Sequence, residues 1–85
     1  MNYTEEEKEK DFDYFKSINI SFFEKHGHSF LAIKNQEVIS YCNAIDELIK
    51  DMSTKGYEVG DYLIQECKGS EYDYTNVIMR LMVNA

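Results

Sequence analysis

The sequence predicts a single α+β domain, residues 1–85, with the element order α-β-β-α-β-β: a four-stranded, mostly antiparallel sheet packed with two helices. Three observations carry this expectation. A capping signature opens a long stretch with helical spacing. Two β-rich runs flank a two-residue turn. A second amphipathic stretch is then followed by further strand-like runs, and local turn chemistry marks each boundary.

The first helix is predicted over Glu5 to Lys25. Thr4-Glu5-Glu6-Glu7 matches a capping box, and acids in the first turn suit the positive end of the helix dipole. Phe12, Phe15, Ile18 or Ile20, Phe22 and Phe23 follow at roughly helical spacing, and Gly27 provides the stop. The first two turns lack apolar residues, so residues 1–11 are expected to project or fray. Ile18-Asn19-Ile20-Ser21, β-branched and small polar, is a point where the helix is expected to be weak.

Ser29 to Lys34 and Glu37 to Cys42 are predicted to form a hairpin around Asn35-Gln36, since Asn tolerates the positive φ of a two-residue turn. Asn43 is expected to cap a second helix, Ala44 to Lys55, with Ile45, Leu48, Ile49 and Met52 on its apolar stripe and Gly56 at its end. Asp46, Glu47 and Asp51 read as its solvated face. Asp61 to Cys67 forms the third predicted strand and Thr75 to Val83 the fourth. Alternation within the strands leaves both faces substantially apolar: Phe30 and Ala32 against Leu31 and Ile33, Val38 and Cys42 against Ile39 and Tyr41. Either the helices lie on opposite faces, or a second molecule covers what they leave bare. Self-association as a homodimer, or a protein partner, is the expectation drawn from this pattern.

Composition narrows the function classes. The chain has 85 residues, 44% of them hydrophobic and 14% aromatic, which is the make-up of a folded protein near the lower size limit for an unstapled core. Its net charge of −7 repels phosphate backbones and anionic lipid, so direct nucleic-acid binding is not expected, while a basic protein partner is permitted. Residues 1–16 carry six acids but also three lysines, so the charge is not a purely acidic tail. No run is long enough to span a membrane, and Cys42 and Cys67, with no signal peptide ahead of them, predict reduced thiols in a cytoplasmic protein.

The chemistry-bearing residues do not assemble into a catalytic pattern, so an enzyme is not expected. His26 and His28 flank Gly27, and with Cys42 and Cys67 they could make a Cys₂His₂ set, yet no paired short spacing is present. No metal or cofactor is therefore expected, and the histidines read as a helix terminus. Cys42, just ahead of a helix, would need His26 or His28 as its base to act as a nucleophile, whereas a small buried hydrophobe is the commoner role. Sixteen acids guarantee some close carboxylate pair, but nothing singles one out. The densest candidate is a partner-binding surface of tyrosines interleaved with acids: Tyr57, Glu58, Asp61, Tyr62, Glu71, Tyr72, Asp73 and Tyr74. Tyrosine is enriched at interfaces, and the acids would select a basic partner.

Gly27-His28-Ser29-Phe30-Leu31-Ala32-Ile33, Glu37-Val38-Ile39, Gly56-Tyr57 and Gly60-Asp61-Tyr62-Leu63-Ile64-Gln65-Glu66-Cys67 together resemble a group of small uncharacterised bacterial proteins that share a domain of unknown function. The resemblance covers roughly residues 12–67 and rests on turn glycines and strand hydrophobics. It implies the same helix, hairpin, helix and strand cassette, and no catalytic residues. Some members are encoded beside retropepsin-like aspartyl proteases, which implies a protein partner. This chain departs from the group in Asn35-Gln36, where a glycine-containing turn is usual, and in its acidic lead-in. The leading expectation is a small acidic cytoplasmic interaction module. The alternative is a phage or mobile-element inhibitor whose carboxylates occupy the basic nucleic-acid channel of a host nuclease.

Overall fold

The Thr4 hydroxyl accepts the Glu7 N–H at 3.1 Å and so caps α1, Glu5–His26. In the computed structural model, which describes residues 3–69, α1 is followed by β1 (Ser29–Ile33), β2 (Val38–Cys42), α2 (Ile45–Thr54) and β3 (Leu63–Cys67). The three strands form one antiparallel sheet in the order β2-β1-β3. The expected strand Thr75–Val83 lies outside the described residues.

α1 passes through Ile18-Asn19-Ile20-Ser21 without a break. Ser17 and Ser21 each donate to the carbonyl three residues back, Tyr14 and Ile18, which draws their polar groups onto the helix itself. Its first two turns are largely exposed, as their sequence implies, yet they are tied down. Asp11 is 1% exposed and accepts both the Tyr3 hydroxyl and the Gln36 N–H, the latter at 2.7 Å. One carboxylate thus joins the segment ahead of the helix to the tip of the β1–β2 hairpin.

That hairpin turns on Asn35 and Gln36, both at positive φ (55° and 58°), the twist that two-residue loops require. In β2 the register slips opposite Ala32/Ile33. Such a bulge places an extra residue on one strand and changes which side chains share a face. Val38 and Tyr41 lie on the α1 side; Ile39, Ser40 and Cys42 lie on the α2 side. The alternation expected from sequence, Val38 with Cys42 and Ile39 with Tyr41, is overturned by that one residue.

α2 begins at Ile45, one residue later than predicted, with Ala44 and not Asn43 at the N-cap, and no side chain supplies the capping bond. Its end is fully built: Gly56 at φ 93° donates to Ser53 O, and the Tyr57 N–H reaches Met52 O at 2.9 Å. That double closure is the glycine-dependent Schellman arrangement.

The two helices lie on opposite faces of the sheet. α2 covers β1 and β2, enclosing Ala32, Leu48, Met52, Tyr62 and Ile64; α1 covers β1 and β3, enclosing Phe15, Leu31, Ile33, Leu63 and Cys67. The two-sided apolar sheet is therefore explained within the chain, and covering it does not call for a second molecule.

Candidate functional site

Four residues of the expected acidic tyrosine surface are described, Tyr57, Glu58, Asp61 and Tyr62, and of these the two tyrosines pack toward the core. Tyr62 is 1% exposed because β-alternation turns it, with Ile64, onto the α2 face, where it belongs to the core. Tyr57 is half-buried against the same core, its ring edge-on to Tyr62 with centroids 6.3 Å apart. The Asp61 carboxylate accepts the Glu58 N–H at 3.0 Å and so shapes its own loop, while Glu58 itself is exposed. Burial, followed by the neighbouring Asp61 charge, pushes the Tyr62 phenol upward. Glu71, Tyr72, Asp73 and Tyr74 lie outside the described residues.

The histidines and cysteines are separated by the sheet. His26 packs on the α1 side against Phe22 and Tyr41, with centroids 4.4 and 4.7 Å away. His28 lies on the other side, edge-on to Phe30, with its Nε2 2.6 Å from the Glu66 carboxylate. Cys42 packs with the α2 cluster and Cys67 with the α1 cluster. Among the described residues, no group of three or more His, Cys, Asp or Glu is placed to hold a metal ion. The Cys67 thiol donates to the Asn19 side-chain oxygen at 3.2 Å, and burial pushes it up, the opposite of what a thiolate nucleophile needs.

Two polar constellations went unseen in the sequence. One is the latch at the hairpin tip. There Lys34, 8% exposed, donates to the Asp61 carbonyl at 2.6 Å and sits over the Tyr3 ring, 5.0 Å from its centroid. Burial, then the bond to Asp11, raises the Tyr3 phenol well above its ordinary range, so this hydroxyl stays protonated and donating. The other is Asp51, expected on the solvated face of α2. It accepts from Ser40 and pairs with Lys55, each at 2.5 Å, and these contacts, Lys55 foremost, hold its carboxyl below the ordinary range. Both constellations bind element to element, and neither leaves an acid free for chemistry.

Among the described residues, what remains open is a groove. Because α1 sits over β1 and β3, the α1 side of β2 is only partly covered, and a cleft of about 370 Å³ runs between helix and strand. Tyr14, Ile18, Phe22 and Val38 provide its apolar wall and floor. Glu37 stands at the hairpin end, and Lys25 and His26 stand at the far end, beside Tyr41. Tyr41 is 46% exposed and edge-on to Phe22, with centroids 5.1 Å apart. The sequence held one signal for this, Tyr14, Ile18 and Phe22 at intervals of four. Without the bulge, however, Val38 and Tyr41 could not be placed on the same side as one another. Among the described residues, no helix is long and apolar enough to cross a membrane.

No protein-family model, curated protein or solved structure matches the chain.

Proposed function

We propose that this chain is a small acidic interaction module that binds protein through the groove between α1 and β2 and carries no catalytic chemistry of its own. The observation that carries this reading is the groove itself, an apolar aromatic floor with charged ends and a half-exposed tyrosine beside it. An apolar centre within a polar rim is the anatomy of a protein interface, and tyrosine serves such surfaces because its rigid ring loses little entropy on ordering. The net charge of −7 keeps the module soluble while this patch stays apolar. The resemblance to a bacterial family with members encoded beside proteases is compatible with a binding role in the cytoplasm.

The test is photo-cross-linking in cells. A photoreactive aromatic residue replaces Tyr41 in one version of the chain and Val59, 49% exposed in the α2–β3 loop, in another. The module reading expects a discrete protein adduct from position 41 and none from position 59. Adducts that are the same from both positions, or absent from both, would remove it.

A further inference from the structure

We infer that the occupant of the α1–β2 groove is a second copy of this chain, related by a two-fold axis that runs the two grooves antiparallel. This deepens the interaction reading and rests on it. The argument starts from the polarity of the groove. α1 and β2 run in the same direction: Asp11 meets Gln36 at one end, and His26 meets Tyr41 at the other. The acid Glu37 therefore lies at the hairpin end, and the bases Lys25 and His26 lie at the opposite end. From Tyr14 to Lys25 the helix advances about 16 Å, so the opposed charges stand well apart.

A groove with one acidic and one basic end is complementary to itself when reversed. In a two-fold arrangement every contact occurs twice, so Lys25 of each copy faces Glu37 of the other, across a shared apolar centre of Ile18, Phe22 and Val38. The exposed Tyr41 ring borders the cleft on each copy and supplies the aromatic contact. A parallel arrangement would oppose like charges at both ends. A uniformly basic partner, the kind a −7 chain attracts at long range, would place a cation against Lys25 and His26. The groove therefore favours a copy of itself over the partner that the net charge would choose.

The test uses the full chain and two single substitutions, Lys25→Glu and Glu37→Lys, followed by sedimentation velocity over a concentration series. Both positions are exposed, so neither change disturbs the core. The wild-type chain is expected to dimerise. Each variant alone places like charges together at both ends and should dimerise roughly tenfold or more weakly. An equimolar mixture of the two variants restores opposite charges at both ends. It should form a one-to-one heterodimer with near wild-type affinity, a recovery that misfolded variants could not show. The inference is overturned if the wild-type chain stays monomeric to about 1 mM, or if the mixture associates no better than its components. If the wild type stays monomeric and position 41 still cross-links a different protein, the self-pairing falls and the interaction reading stands. If position 41 captures nothing at all, both fall.

Discussion

The two faces of the sheet are built on different principles. Beneath α2 the buried contacts are aliphatic and aromatic: Leu48 and Met52, fully buried, meet Ala32, Ile64 and the Tyr62 ring. Beneath α1 the helix presents Asp11, Phe15 and Asn19 as its buried residues, two polar groups around one aromatic, and the strand below adds Gln65. Both faces bury an apolar cluster, but the α1 face adds buried directed bonds, of Asp11 to the hairpin and Cys67 to Asn19. Burial is tolerant of small shifts, whereas directed bonds fix position but give a smaller net return. The difference predicts that the more uniformly apolar α2 face is the more stable half, while α1 is also placed by its bonds, and it is this placed helix that forms the wall of the groove.

Leu48→Ala should produce the largest effect, a loss of about 3–4 kcal/mol, because it opens a cavity in the aliphatic face. Denaturant unfolding measures it, and a loss below about 1 kcal/mol would mean that this face is not the stable half. Asp11→Ala should cost less globally, about 2 kcal/mol for a buried charged acceptor and the two donors it leaves unmet. Its signature is local: amide exchange should accelerate in α1 and at the hairpin tip while α2 stays protected. Equal acceleration in both helices would erase the distinction between the faces. The smallest effect should be a gain. The Gln65 side-chain amide is buried with no hydrogen-bond partner among the described residues, so Gln65→Met should stabilise by about 1 kcal/mol. A loss there would show that the amide is used.

What was legible in the sequence was local. Thr4, Gly27, the Asn35-Gln36 turn, the α2 stripe and Gly56 each act within a few residues, so their chemistry names their place. Burial of Asp11, Asn19 and Gln65 depends on how a helix docks across the sheet, and the polar character of these residues argued for the outside. Tyr62 was misplaced for a related reason: beside Asp61 it looks like a surface residue, but strand alternation turns it inward. Apolar residues do line both faces of β1, but the chain covers them with opposed helices and not with the second molecule that the pattern led one to expect, and the β2 half of the pattern is altered by the bulge. The candidate groove was illegible because it depends on the extra residue in β2, which no alternation rule anticipates.

That extra residue also bears on how far assembly can spread. A straight, uncharged edge such as Val38-Ile39-Ser40-Tyr41-Cys42 would offer a regular ladder to any other chain, the starting point of fibrils. The bulge breaks the repeat of outward amide and carbonyl groups along β2, so the edge is a poor template for continuous pairing. The inferred self-pairing would instead leave association to side chains in a groove, and a reversed pair of grooves would consume both at once. On that inference growth stops at two copies, and a sheet whose β2 edge is unpaired among the described residues is spared polymerisation.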